Sequence, residues 1–178
     1  MTYGVNEVVF CIAGYDDIEE LVKLVNGAYR GKYAEGGWTN EAYLLTGSRV
    51  NHEIMESLIG IADSQVLKAM IAPGVMAGCV HMKKSGDYLE LGMLTVDPTL
   101  QRFGLGTLFL EKAEAYALQQ GLYRILITVI SKRTELISWY QRRGFVLNGE
   151  KKPFHCDPRL GIPIEPLEFL VMTKSIVR

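Results

Sequence analysis

The 178-residue sequence is poor in cysteine, holding only Cys11, Cys79 and Cys156. Three thiols so far apart suggest neither a disulfide framework nor a Cys-x-x-Cys metal site, and the expectation is buried or idle thiols in a reducing compartment. Histidine is equally scarce. His52, His81 and His155 show no ligand spacing, and His155 beside Cys156 lacks two further ligands, so no metal is expected. Long apolar runs are missing too. Val8 to Ala13 falls far short of the ~18 residues of a membrane span, with no basic segment ahead of it, which predicts a cytoplasmic protein with no membrane partner. Charge of one sign is not in excess: the formal net charge is −1, which leaves no global basic field to gather nucleic acid. Repeats and low-complexity segments are absent. The length fits one domain over residues 1–178 with one core, and hence one active site. A homodimer is left open.

What the chain does contain is a clear alternation of periods. Val8 to Ala13 reads as a strand. Asp16 and Asp17, with Glu19 and Glu20 three residues on, offer the start of a helix whose core face is Ile18, Leu21, Val22, Val25 and Tyr29. Gly36-Gly37 breaks periodicity in a loop from Lys32 to Thr46, and a second helical stretch runs from about Asn51 to Ile59. Gln65–Ala72 and Val75–Lys83 form a hairpin about Pro73-Gly74, and Ser85-Gly86-Asp87 turns into a third strand, Tyr88–Val96, stopped by Pro98. A helix with Leu105, Leu108, Phe109, Ala113 and Tyr116 on one face follows, with Gly121 placed for a left-handed C-cap. Then come a strand over Tyr123–Val129, a helix over Thr134–Arg143 ended by Gly144, a strand beginning at Phe145–Leu147, a surface loop over Gly149–Pro166 and a last strand over Leu167–Thr173. This order predicts an α+β fold: a central twisted, mixed, mostly antiparallel sheet with helices on both faces. One parallel pair is implied, since the Tyr88 and Tyr123 strands are joined through a helix, and a ligand belongs at their carboxyl ends.

The informative segment is Leu94-Thr95-Val96-Asp97-Pro98-Thr99-Leu100-Gln101-Arg102-Phe103-Gly104-Leu105-Gly106. It passes from strand through turn to helix. Gly104 and Gly106 let backbone N–H groups approach an anion, and the helix N-terminus adds its partial positive charge. Alone, Gly-x-Gly is equally a tight turn. A Walker loop is disfavoured because no lysine precedes Thr107, and a dinucleotide fingerprint because Phe109 occupies the third glycine position.

The segment resembles the acetyl-CoA signature of the GNAT N-acetyltransferase superfamily, Gln/Arg-x-x-Gly-x-Gly/Ala, as Gln101-Arg102-Phe103-Gly104-Leu105-Gly106. The likeness extends upstream through Leu94, Val96 and Pro98, and a second block, Trp139-Tyr140-Gln141-Arg142-Arg143-Gly144-Phe145, has the family's spacing of tyrosine, glycine and phenylalanine. The resemblance implies the GNAT fold and transfer of an acetyl group from acetyl-CoA to a primary amine, on a small molecule or a peptide, by direct attack in a ternary complex. It implies that amides from Gln101 or Arg102 through Thr107 hold pyrophosphate. Leu94, Thr95 and Val96 then pair with the pantetheine arm, and an N–H near Leu94 serves as oxyanion donor. Arg102 stands where the family often has glycine, either contacting phosphate or solvated. Arg133 stands where it often has asparagine, and Ser131 is a stand-in for part of that role.

An aliphatic amine, with an ordinary pKa of ~10.4, must lose a proton before attack. Glu90, on the strand leading to the thioester, is the leading candidate base; the alternative is an exposed strand glutamate, and His81 is a weaker second candidate. Tyr140 is the candidate acid for the departing thiolate, the alternative being a core aromatic. The acceptor segments implied by the resemblance are Tyr29–Ala42 and Pro153–Glu165. Tyr33, Glu35 and Trp38 are candidate substrate contacts, Trp38 being either a pocket wall or a packing residue. Glu35, Glu41 and Asp157 either attract a cationic amine or face solvent. A non-catalytic acyl-CoA-binding module, or an enzyme using another acyl-CoA, is the rival reading.

Overall fold

A computed structural model describes residues 8–31, 38–101, 104–155, 157 and 159–176. Among them, seven strands form one sheet in the order β1-β2-β3-β4-β5-β7-β6, with four α-helices. The strands are β1 (Val9–Ile12), β2 (Ser64–Ala72), β3 (Val75–Ser85), β4 (Tyr88–Val96), β5 (Arg124–Ile130), β6 (Val146–Pro153) and β7 (Glu168–Ser175). The helices are α1 (Ile18–Arg30), α2 (His52–Gly60), α3 (Leu105–Gln119) and α4 (Thr134–Gln141). All neighbours are antiparallel except β4 and β5, the one parallel pair, as the crossover through α3 requires.

Alternation along the central strands divides the core between two faces. Leu67, Val80, Leu89 and Leu91 pack with α3 and with Ile137 and Tyr140 of α4, while Val66, Cys79 and Met93 pack with α1 and Met55 of α2. Phe109, fully buried, seats α3 against β3 where Gly78 leaves no side chain: a Cβ there would lie 2.8 Å from the Phe109 ring and 2.5 Å from the Thr95 carbonyl oxygen. Buried Cys79 has its thiol pushed up to about 12 by desolvation, as an idle core thiol should.

Three local features differ from the sequence-based expectation. Asp17 does not cap α1 with its side chain; its carboxylate accepts from the Gly14 N–H at 2.8 Å and pairs with Lys68 of β2 at 2.5 Å. The stretch Gly149–Pro166 is not all loop, because β6 continues to Pro153 as the sheet's outer strand, almost wholly exposed and therefore without the alternation that marks a half-buried strand. The third is a bulge in β4. Cys79 faces Thr95 and His81 faces Gly92, so two steps on β3 oppose three on β4, and Met93 takes the left-handed conformation at φ 53°. Beyond the bulge, Leu94 and Val96 join the α3 side that Leu89 and Leu91 occupy before it.

Candidate active site

The bulge lies where the parallel pair comes apart. β5 pairs with β4 only at Leu89, Glu90 and Leu91; from Gly92 onward β4 has left its neighbour, and β5 continues along β7 to Ile130. Three joined clefts follow the opening. The first, about 380 Å³, runs along the start of α3 and is lined by Trp38, Leu94, Val96, Gln101, Gly104, Leu105, Gly106, Thr107, Trp139, Arg142 and Arg143. The second, about 100 Å³, fills the gap between β4 and β5 and includes Gly92, Met93 and Val129. The two share Tyr29, Leu94, Arg133, Leu136 and Tyr140.

Gly104 precedes α3 at φ 81°, and among the described residues a Cβ there would meet no atom within 4 Å beyond its chain neighbours, so on that side the helix end is open toward the cleft. The Thr107 and Leu108 N–H groups both turn onto the Gly104 carbonyl, at 2.9 and 3.1 Å. The outward donors of this helix end are therefore the Leu105 and Gly106 amides. Thr107 takes part through its hydroxyl instead, which accepts from Arg143 Nε at 3.1 Å and Nη2 at 2.9 Å. Arg143 also lies over the Trp139 indole at 3.7 Å, and Gly106 approaches that indole so closely that a Cβ would stand 3.2 Å from it. The glycine-led entry to this helix was legible in the sequence. The contribution of α4 to it was not, although adjacent arginines before Gly144 were the available signal.

Tyr140 is buried at the junction, edge-on to Trp139 and Phe145. Burial, then the neighbouring Tyr29, hold its phenol well above the ordinary range, with Arg133 and Arg143 opposing. Tyr29, which helical spacing marks only as a core position, is a second buried phenol lining both clefts. Its hydroxyl donates to the Leu94 carbonyl at 3.2 Å, and burial pushes it up to about 12.

Arg133 departs furthest from expectation. Its side chain is 5% exposed, pairs with Glu41 at 3.1 Å and donates through Nη2 to the Trp38 carbonyl. Glu41 also pairs with Arg30 of α1 at 3.4 Å. From the other side, Gln101 accepts from the Trp38 N–H at 2.8 Å and donates to the Val96 carbonyl at 3.2 Å. The Trp38 peptide groups are thus held from both banks of the first cleft, which makes Trp38, 43% exposed, a wall residue.

Other predicted residues lie elsewhere. Thr95 is fully buried, its hydroxyl bonded to the Met93 carbonyl at 3.0 Å, and it lines none of the three clefts. Ser131 lines none of them either; its N–H donates to the Glu168 carbonyl at 2.9 Å. Glu90 sits in the last paired stretch, on the sheet face opposite Leu89 and Leu91, and lines none of the three clefts. His81 is hydrogen-bonded to Ser64 at 2.7 Å and pushed down to about 4 by burial, with Lys83 adding to it. Arg102, Phe103, Tyr33, Glu35 and Cys156 lie outside the described residues. Among the described residues no cluster of metal ligands occurs, and no helix is long and apolar enough to cross a membrane.

A mixed sheet parting at a bulge beside a glycine-led helix end is the architecture of the acyl-CoA N-acyltransferases. The chain belongs to the Acetyltransferase (GNAT) family, whose sequence model matches residues 35–145. Mycothiol acetyltransferase of Rhodococcus erythropolis is 27% identical over 139 residues, which are 74% of this chain and 44% of that protein, so the chain spans under half the length of this curated relative. Similar solved structures include Ard1 from Thermoplasma volcanium, with a TM-score of 0.72 at 14% identity, covering 97% of this chain and 99% of that one. The ribosomal-protein-S18-alanine N-acetyltransferase from Escherichia coli gives 0.70 at 15%, over 96% and 95% of the two chains. PaiA N-acetyltransferase from Thermoplasma acidophilum, solved with coenzyme A, gives 0.65 at 19%, over 94% and 98%.

Proposed function

We propose that the protein transfers the acetyl group of acetyl-CoA to a primary amine by direct attack within a ternary complex. The observation that carries this reading is the junction of the first two clefts: an open helix end flanked by Arg142 and Arg143 leads to the gap between β4 and β5, where Tyr140 is buried. These residues fit acetyl-CoA, since the outward amides of Leu105 and Gly106 and the two arginines suit phosphate, and the unpaired edge of β4 from Leu94 to Val96 suits the pantetheine amides. When bound, acetyl-CoA supplies an activated acyl carbon and a thiolate leaving group. The chain's own part is to hold that carbon against the β4 bulge, donate an N–H near Leu94 to the carbonyl oxygen, and keep a proton on Tyr140 for the departing sulfur. Placed off the clefts, Glu90 is assigned no direct contact with the amine; the ammonium proton leaves to solvent, with Glu90 acting through water.

Acetyl-CoA is expected to raise the melting temperature, whereas NAD and ATP at equal concentration are not, because a ligand of the native state stabilises it by mass action. Release of CoA on adding amines then separates an enzyme from a binding module. A shift with NAD or ATP alone would overturn the reading.

Gly104→Val and Gly106→Val should part company. At Gly104 the positive φ costs a branched residue about 1–2 kcal/mol, but the new side chain projects into the open cleft, so affinity for acetyl-CoA falls more than stability does. At Gly106 the added carbons collide with Trp139, and overpacking of about 1–3 kcal/mol lowers stability and affinity together. Titration calorimetry beside thermal melts is the check; unchanged affinity in a folded Gly104→Val variant would reduce the loop to a turn.

A further inference from the structure

The third cleft, about 190 Å³, continues from the second through Glu41, Arg49, Ile130 and Phe169. Arg30 and Glu41 of the first segment expected to govern the acceptor, and Phe154, Asp157 and Leu160 of the second, line it; just past the first segment, Leu45 bridges to Pro163, and the Thr46 and Ile164 N–H groups bond across at 3.0 and 2.9 Å. Both acids lining it are already engaged by guanidinium groups. Glu41 is paired with Arg30 and Arg133, and Asp157 with Arg159 at 2.5 Å. Neither offers an open carboxylate to a cationic amine.

Arg49 is the opposite case. Among the described residues its guanidinium makes no ion pair and no side-chain hydrogen bond, although it is half-buried and lines both the second and third clefts. Its backbone is also anchored. Asn26 of α1 accepts from the Arg49 and Val50 N–H groups at 2.7 and 3.1 Å and donates to the Val50 carbonyl at 2.8 Å. The guanidinium lies 5.4 Å from the centre of the Tyr29 ring, beside the junction where acyl transfer is proposed. A guanidinium that is carried on an anchored backbone, without an acidic partner among the described residues, and lies within a cleft is suited to bidentate capture of a carboxylate or a phosphonate.

We infer that the acceptor is an amine that also carries an anionic group, and that Arg49 binds this group and orients the amine toward the second cleft. The inference rests on the acetyltransferase reading. It makes Arg49 a specificity residue for amino acids or aminophosphonates and disfavours polyamines, whose extra cations would meet this arginine.

The test is CoA release by wild type, Arg49→Gln and Arg49→Lys on matched acceptors: amino acids against their amides, aminoalkylphosphonates against the corresponding alkylamines, and a polyamine. The anionic member should be preferred by roughly 10- to 100-fold in kcat/KM, the range of a charge-assisted hydrogen bond, and mostly through KM. Comparing the carboxylate arm with the phosphonate arm shows which anion is preferred. Arg49→Gln should abolish the advantage, Arg49→Lys should keep part of it, and all three should respond equally to acetyl-CoA in thermal melts. Preference for the neutral amines or the polyamine, an anionic preference that survives Arg49→Gln, or no turnover with any anionic amine would overturn the inference. Failure of wild type to respond to acetyl-CoA would instead strike the acetyltransferase reading, and this inference with it.

Discussion

Tyr140→Phe is expected to lower kcat by roughly 10²- to 10⁴-fold, the usual contribution of a positioned general acid, with little change in acetyl-CoA affinity or melting temperature. The ring is what packs, edge-on against Trp139 and Phe145, and phenylalanine keeps it. The hydroxyl sits where desolvation holds its proton firmly at any working pH, so it acts as donor and not as base. Desolvation also makes a thiolate in the same cleft a stronger base than in water, which keeps the transfer feasible. Tyr29 is the competing phenol, but its hydroxyl donates to the Leu94 carbonyl and so holds the backbone beside the bulge. The measurement is kcat with a turned-over amine, beside acetyl-CoA titration and a melt. Wild-type turnover in Tyr140→Phe would refute the acid role and leave the sulfur to take its proton from water.

The readable parts of this site are those written in local backbone chemistry. Gly104 before an amphipathic helix announces a left-handed entry and an open helix end, and the structure has both. The alternation of Leu89 and Leu91 with Glu90 likewise gives a half-buried strand. It does not give the bulge at Met93, because a methionine at φ 53° carries no compositional mark, and the register slip exists only in the pairing of β4 with β3. That slip is why Leu94 and Val96 line the first cleft while Glu90, the leading candidate base, lines none of the three. The same limit hides the surroundings of Arg49 and Arg133: nothing local shows that Arg133 is met by the Glu41 carboxylate while Arg49 is met by none among the described residues. β6, whose start was read at Phe145–Leu147, escapes in its second half for a different reason. Its Lys151, Lys152 and Gly149 face solvent on an outer strand, where no buried face imposes a period of two.

Glu41→Ala should destabilise the protein by about 3–5 kcal/mol, because it leaves Arg133 a buried charge without its counter-ion. The side chains of Glu41 and Arg133 are 10% and 5% exposed, so solvent does little to screen the loss. At about 2–4 °C per kcal/mol for a chain of this size, the melting temperature falls by roughly 6–20 °C. Glu41→Gln should fall less, since the amide oxygen still accepts one of the arginine N–H bonds. Arg133→Ala removes the other partner and with it the bond to the Trp38 carbonyl, so its cost includes release of the cleft wall. Because both changes break one interaction, the double variant Glu41→Ala/Arg133→Ala should lose less than the sum of the singles. Denaturant melts of the four proteins give the coupling directly. Additive losses, or a single-variant loss below about 1 kcal/mol in the range of exposed pairs, would mean that the pair does not hold Trp38 in place. The first cleft would then rely on Gln101 alone to position that segment.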